Sequence, residues 1–184
     1  NVIDFGTDVA DCFFVDAGLS YSGSAASTMT GVQHLRGQVT TILHDGATHP
    51  TRSIAGVPPR LHLERTATKV HVGLNYESTL KTLNIDVGGE EGTAQGKVKR
   101  ISDVTIRLFR TVGLLVGSTL TDLERIPFRS DADPLDQPVP LFTGDKETEF
   151  PGGFDLDGQI IVKQDQPLPM TVIGIYPRLQ TFDE

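Results

Sequence analysis

The sequence has no tryptophan, only one cysteine and no long apolar run. Cys12 has no second cysteine with which to form an internal disulfide, and its neighbours Phe13 and Phe14 predict a buried thiol rather than a reactive one. This cysteine usage is typical of folding in a reducing cytoplasm. No apolar run reaches the roughly 18 residues that a transmembrane helix requires. The 184 residues are enough for a sizeable core without a disulfide or a metal ion.

Basic residues are scarce relative to acidic ones. The chain has 16 Lys and Arg against 24 Asp and Glu, a net charge of −8. This balance argues against a dedicated nucleic-acid binder and against adsorption to an anionic membrane, since both need a basic face. The basic residues concentrate in one stretch: Lys97, Lys99, Arg100, Arg107 and Arg110. In so acidic a chain, this stretch favours a protein partner over DNA. An ordinary solvated strand face is the simpler alternative.

Glycine and proline are frequent, at 19 and 11 residues, and divide the chain into short segments. Such punctuation is typical of all-β proteins. The longest patterned segment runs from Gly96 to Gly117. Within it Val104, Ile106 and Leu108 alternate with more polar residues, which predicts a half-buried antiparallel strand. We expect this segment to share one sheet with strands at 158–177.

The domain organisation is predicted from the spacing of the strands and turns. Residues 31–74 contain four predicted strands (39–43, 51–54, 60–64 and 70–74), with a hairpin turn at Asp45-Gly46. We therefore predict an antiparallel β-sandwich built from residues 1–30 and 74–184, with a small β-barrel-like module inserted at 31–73. One continuous sandwich is the alternative.

Segments without a clear strand pattern receive local predictions. Residues 17–30 are small and polar, which predicts a loop or a loosely paired segment. Residues 93–100 are expected to form one or two helical turns. Residues 130–140 are acidic and rich in proline, which predicts a surface loop.

Motifs for nucleotide binding and nucleophilic catalysis are incomplete. The segment Gly92–Val98 has the wrong spacing for a phosphate-binding loop and lacks its Ser or Thr. Gly18–Ser22 lacks the final glycine of a nucleophile elbow. A hydrolase acting on cell-wall or capsule sugars would rest only on acidic pairs such as Asp155 and Asp157. We therefore predict no catalytic or cofactor-binding residues, no cofactor and no enzyme.

Metal ligation is weighed at the histidines and at two acidic clusters. The histidines form no HExxH pair; they are His34, His44, His49, His62 and His71. His44 and His49 flank the predicted turn, but a zinc site needs three or four converging ligands. His62 and His71 are expected to face outward. The acidic clusters are Asp131, Asp133 and Asp136, and Asp155 with Asp157; the second resembles the start of a calcium loop without its later ligands. We predict no metal site.

Several motifs are similar to a known family. Residues 96–111 (GKVKRISDVTIRLFRT) resemble the strand entering the last part of tail nozzle proteins, the tail tubular protein B family of short-tailed bacteriophages and prophages. Further similar pieces occur in the same order and together span about residues 12–176: Phe13–Leu19, Gln33–Gly37, Val70–Tyr76, Phe142–Asp145 and Gln164–Val172.

The resemblance implies a structural protein of the virion tail, made in the host cytoplasm. In that family several copies form a ring that continues the tail tube, and DNA leaves through its channel without specific binding. The implied partners are other copies of the chain and neighbouring tail and adaptor proteins, with no membrane. The family has no enzymatic residues to transfer. Its upstream propeller-like body is absent from this sequence. Because the chain begins with Asn1 rather than Met, we expect a fragment or processed product of a longer protein.

A second hypothesis is a host-surface receptor-binding module that recognises a glycan. Its aromatic contacts would be Tyr21, Tyr76 or Phe154. The lack of tryptophan weakens this hypothesis, because sugar-binding faces commonly use aromatic platforms.

Overall fold

The fold is all-β and antiparallel, as predicted. The computed structural model describes residues 8–86, 93, 95–135 and 137–182. Short 3₁₀ turns lie at Val9–Asp11 and Gln33–Leu35, and no helix in the described part of the chain could cross a membrane. The strands of the described residues are β1 (Asp16–Met29), β2 (Val39–His44), β3 (Ala47–Ser53), β4 (Leu61–Leu74), β5 (Ser78–Lys81), β6 (Val98–Thr111), β7 (Leu115–Thr119), β8 (Asp122–Arg125), β9 (Phe142–Glu149), β10 (Phe154–Asp155), β11 (Ile161–Gln164) and β12 (Val172–Phe182).

The chain divides into two compact units. The first comprises Asn1–Glu77, Phe128–Leu141 and Asp165–Pro169, and the second comprises Ser78–Pro127, Phe142–Gln164 and Met170–Glu184. This division differs from the predicted boundaries, which placed residues 1–30 with the sandwich. The physical reason is that β1 pairs with β4, so that residues 16–29 belong to the same sheet as the predicted insert.

The first unit contains one curled four-stranded sheet in the order β1-β4-β2-β3. The apolar side chains of this sheet and its connections form one core: Met29, Val32, Leu35, Ile42, Ile54, Leu61, Leu63, Ala67, Val70 and Val72. The edge strands β1 and β3 do not pair with each other in the part of the chain that the structure describes, so the predicted barrel-like module is an open sheet. Residues 17–30, predicted as a loop or a loosely paired segment, contribute most of the edge strand β1, which pairs with β4 in a ladder interrupted by three register shifts.

The second unit contains two four-stranded sheets, which is consistent with a β-sandwich. One sheet has the order β10-β6-β12 with β9 also paired to β6, and the other has the order β5-β11-β7-β8. Val104, Ile106 and Leu108 of β6 are fully buried, as their alternation predicted. Val116 of β7 and Val162 of β11 are also fully buried.

The prediction that segments 96–117 and 158–177 share one sheet is confirmed only for β6 and β12. Their other halves, β7 and β11, pair with each other in the second sheet of this unit. The chain changes sheet around Gly113, which has a φ of 83°. A left-handed backbone is readily adopted by glycine, so this residue allows the strand to break there.

Several local predictions can be compared directly. The Asp45-Gly46 turn joins β2 to β3 with φ values of 45° and 81°, as a tight hairpin requires. Residues 60–64 and 70–74, predicted as two strands, are parts of the single strand β4. Residues 95–97 are a turn and β6 starts at Val98, so the helical turns predicted at 93–100 are wrong; Ala94 lies outside the described residues.

Candidate subunit-contact surface

The most distinctive surface of the second unit is the exposed side of the sheet centred on β6. Because side chains alternate along a strand, the residues between Val104, Ile106 and Leu108 point away from the core. Cross-strand partners on β9 and β12 extend this exposed side. We call it the β6 face, and define it by Thr105, Arg107 and Phe109 of β6, Asp145 and Glu147 of β9, and Ile173, Tyr176 and Arg178 of β12.

The β6 face exposes three large apolar or aromatic side chains. The exposed fractions are 44% for Phe109, 61% for Ile173 and 53% for Tyr176. Ile173 lies at an irregularity between the Val172–Leu108 and Gly174–Arg107 pairs, which leaves it unpaired in the ladder. The face therefore carries apolar area that this unit does not bury.

An ion pair lies at the centre of the face. Arg107 Nε donates to Asp145 Oδ1 at 2.8 Å, and Arg107 Nη2 donates to Asp145 Oδ2 at 2.7 Å. The guanidinium also lies over the ring of Tyr176, 5.9 Å from its centroid. The hydrogen bond from Arg107, together with its charge, lowers the pKa of Asp145 despite slight desolvation. The pair orients three side chains on an otherwise solvated surface.

The basic residues of this stretch do not form one solvated face. Lys99 is 1% exposed, and its Nζ donates to the carbonyl oxygen of Leu156 at 3.0 Å. The alternation of the strand sends Arg100 the other way, over the ring of Phe154. Arg110 lies over Phe109. The sequence signal that could have identified Lys99 as buried is its two-residue spacing from Ile101.

The acidic clusters are held by local hydrogen bonds. Asp133 accepts from the amide and hydroxyl of Ser130, and the backbone amide bond is the largest cause of its lowered pKa. Asp155 accepts from the amide of Asp157, whose own carboxylate accepts from Asn84. Asp136 lies outside the described residues, as do Gly92 and Ala94 of the phosphate-loop candidate. Across the described residues, no three His, Cys, Asp or Glu side chains converge as metal ligands would.

The histidines fall into different environments. His62 is exposed, as predicted, but the prediction that His71 faces outward is wrong. His71 is 6% exposed, and its ring lies 2.7 Å from Ser20 Oγ and 3.0 Å from the carbonyl oxygen of Ala10. The reason is that residues 10–16 cover this side of β4, which the alternation within β4 does not reveal.

His44 and His49, the pair considered as metal ligands, are engaged with backbone groups. Their rings meet edge to face at a centroid distance of 5.3 Å. His44 Nδ1 lies 3.0 Å from the carbonyl oxygen of Ala47, and His49 Nδ1 lies 2.7 Å from that of Pro50. Both Nδ1 atoms are therefore directed at backbone carbonyl oxygens.

A cavity of about 540 Å³ lies within the first unit, beside the Asp45 turn. Its carboxylates already have partners inside the chain. Asp45 accepts from the hydroxyl and amide of Thr68 and from the amide of Lys69, while Asp11 forms an ion pair with the Lys69 ammonium. Asp8 accepts from the amide of Ala10. The carboxylates that line the cavity therefore hold neighbouring parts of the first unit together, and they are not arranged as ligands for a bound molecule.

The aromatic residues considered for glycan binding have different surroundings. Tyr21 donates its hydroxyl to the carbonyl oxygen of Ser24. Tyr76, 39% exposed, belongs to the first unit, whereas Phe154, 62% exposed, belongs to the second. Neither unit by itself groups all three side chains.

No protein-family model matches this chain, and no curated protein has a significant match to it. The functional argument therefore rests on the sequence motifs and on the geometry of the surfaces.

Proposed function

We propose that this chain is a β-rich domain of the tail nozzle of a short-tailed phage or prophage, acting through subunit contacts around a DNA exit channel. The proposal starts from the ordered sequence motifs that resemble that family. The observation that carries it is the β6 face, where large side chains are exposed on a sheet whose central strand is paired along both edges. Its partners are other copies of the chain and neighbouring tail and adaptor proteins in the virion tail, and it has no enzymatic role.

The composition of the β6 face is that of a protein contact surface. Tyrosine, phenylalanine and arginine are enriched at the centres of protein interfaces, where truncation of a few residues removes most of the binding energy. Here Tyr176 and Phe109 are exposed beside Arg107. Aromatic side chains have few rotatable bonds, so ordering them in a contact costs little conformational entropy.

The strand pairing supports a rigid contact surface. β6 is paired along much of its length, with β12 on one edge and with β9 and β10 on the other. The backbone that carries the exposed side chains is therefore fixed before any partner arrives. Preorganisation of this kind lowers the entropy lost on association.

The charge of the chain is compatible with a conduit for DNA. A net charge of −8 does not attract phosphates, and a channel wall must release its cargo. Along β9, Glu147 of the β6 face and Glu149 beyond it follow Asp145 at every second position, which makes an acidic row on this strand. This row disfavours a phosphate backbone as the partner of the face.

The test uses the full-length parent protein, its native mass and negative-stain images of the same sample. A ring with a central hole supports the proposal. Replacement of Ile173 and Tyr176 together by lysine is expected to convert rings into smaller species, because two desolvated contact residues become charged. The matched control is the double replacement Val57→Lys and Leu83→Lys, at side chains that are 85% and 88% exposed and are not among the residues that define the β6 face.

Several results would contradict the nozzle proposal. A parent protein that is absent from purified virions, or that is monomeric, overturns the nozzle proposal. A compact trimer or a monomer would instead favour the receptor-binding hypothesis and make glycan screening the next experiment. Rings that survive the Ile173 and Tyr176 replacement, or that the control replacement disrupts equally, would remove the β6 face from the proposal.

A further inference from the structure

Strands β3 and β4 meet at a junction although β2 lies between them in the sheet order. The curl of the sheet brings His49 and Arg52 of β3 to Glu64 of β4. Arg52 and Glu64 form an ion pair, and the Glu64 amide lies 3.1 Å from His49 Nε2. His49 is 7% exposed, so water has little access to its ring. The His49 side chain therefore accepts the hydrogen bond that a backbone carbonyl of a neighbouring strand would normally accept from the Glu64 amide.

The hydrogen bonds of His49 define its tautomer. The Glu64 backbone N–H is only a donor, so His49 Nε2 must accept and carry no proton. The Pro50 carbonyl is only an acceptor, so His49 Nδ1 carries the hydrogen. The closed junction therefore requires a neutral imidazole, and a second ring proton would place two donors against each other.

The strand ladders offer the Glu64 amide no substitute acceptor. β2 pairs with β4 only from Val70 to Gly73, and the β1 ladder assigns Glu64 no partner. Arg52 Nε at the same junction is buried without a hydrogen-bond partner among the described residues. The junction is thus less fully bonded than the β2–β4 ladder beside it.

The charged and titratable residues around this junction come from three strands. His44 of β2 meets the ring edge to face, and Arg52 of β3 pairs with Glu64 of β4. The Glu64 carboxylate would favour an imidazolium, but its ion pair with Arg52 offsets that attraction.

We propose that His49 is an acid-sensitive latch that holds β3 to β4, and that mild acid opens this junction while the β2–β4 ladder stays paired. Histidine is suited to such a device because it changes charge within the range of pH 5 to 8. The latch is a property of the first unit and is independent of any role in a phage tail.

The test is amide hydrogen exchange by NMR on the intact chain, expressed as protection factors so that the intrinsic pH dependence of exchange is removed. Between about pH 7.5 and 5.5, the protection of the Glu64 amide is expected to fall about tenfold, the effect of losing one buried hydrogen bond. Protection of the Val72 amide in the β2–β4 ladder is expected to change little. Ring nitrogen shifts of His49 should show the Nδ1–H tautomer at the higher pH.

Two matched variants separate the latch from general acid effects. His49→Gln keeps a side-chain acceptor without a titrating ring, so the Glu64 amide should lose its pH dependence. His62→Gln, at an exposed histidine of β4, should behave like the unchanged protein. Unchanged Glu64 protection at the lower pH, an Nε2–H tautomer in the unchanged protein, or the same pH response in His49→Gln would each overturn the proposal. The tautomer measurement remains decisive if His49→Gln does not fold.

Discussion

β4 and β6 have the same length, fourteen residues, and each pairs along both edges, but they bury different sides. β6 is a one-sided strand, with Val104, Ile106 and Leu108 buried and the residues between them more exposed. β4 is buried on both sides from Val70 to Gly73. The comparison teaches that a strand with one solvent face shows a period of two, whereas a strand covered on both sides hides that period.

The second side of β4 is covered by the chain that precedes β1. The Phe13 ring meets the His71 ring edge to face, and the carbonyl oxygen of Ala10 lies 3.0 Å from His71 Nε2. At Gly73 there is room for no side chain, because Val15 and the backbone of Asp16 occupy the space. The covered second side of β4 therefore holds a hydrogen-bonded histidine and a glycine, whereas the corresponding side of β6 carries Thr105, Arg107 and Phe109.

The largest expected effect comes from truncating the buried side of β6. Ile106→Ala should lower the free energy of unfolding by about 3 kcal/mol, because it removes three buried carbon atoms and leaves a cavity. Denaturant unfolding monitored by circular dichroism measures the change. The neighbouring Thr105→Ala, on the β6 face, should change the free energy by less than about 0.5 kcal/mol. Equal effects of the two replacements would contradict a one-sided β6.

The second effect concerns the covered side of β4. In Gly73→Ala the new Cβ would lie 2.6 Å from the Asp16 carbonyl oxygen and 2.8 Å from Val15 Cβ, so the backbone must shift. Overpacking of this kind costs about 1–3 kcal/mol. The control is Gly153→Ala, whose Cβ would meet no atom within 4 Å. Thermal unfolding of both variants checks the prediction, and an unperturbed Gly73→Ala would show that this side of β4 is open.

A smaller effect is expected from the pH dependence of His71. Burial lowers the pKa of this imidazole and the nearby Lys69 ammonium adds to the effect, while the bond to the Ala10 carbonyl acts in the opposite direction. The unfolded chain therefore takes up the proton first, near pH 6.5. The contribution of His71 to the free energy of unfolding is full above that pH. It falls as the pH decreases towards the folded-state pKa of His71, and it changes no further below that pKa.

Denaturant unfolding between about pH 7.5 and 5 measures the contribution of His71. His71→Gln should have a shallower loss of stability on acidification than the unchanged protein, whereas His62→Gln should keep the full loss. If His71→Gln and the unchanged protein lose stability in parallel, the second side of β4 does not hold His71 neutral.

The smallest effect is expected on the β6 face itself. Asp145→Asn removes the charge that pairs with Arg107, but both side chains are solvent-exposed, and exposed ion pairs contribute little to stability. The unfolding midpoint should hardly change, while the Arg107 Nε–H signal in NMR should shift as the bidentate contact is lost.

The same contact should depend on pH in the unchanged protein. Acid should release it only below the pH at which an aspartate ordinarily takes up its proton, because the Arg107 hydrogen bond lowers the pKa of Asp145. A large loss of stability in Asp145→Asn would mean that the face is not free surface.

The sequence alone was sufficient for the features that depend on near neighbours in the chain. The all-β class, the Asp45-Gly46 turn, the buried side of β6 and the alternation of Leu61 and Leu63 follow from periodicity and turn chemistry, which act over a few residues. The exposed aromatic and arginine side chains of the candidate surface follow from the same alternation. For β6, local pattern and tertiary environment agree.

Tertiary structure decided what depends on which distant segments meet. Residues 16–29 have few large apolar side chains, so only the ladder with β4 makes them a strand and moves them into the first unit. His71 is buried because residues 10–16 cover it, His49 is bonded because the sheet curls, and Lys99 is buried with its ammonium on the Leu156 carbonyl. Burial on a second side and hydrogen bonds across a curl depend on contacts far apart in sequence, and no local pattern encodes them.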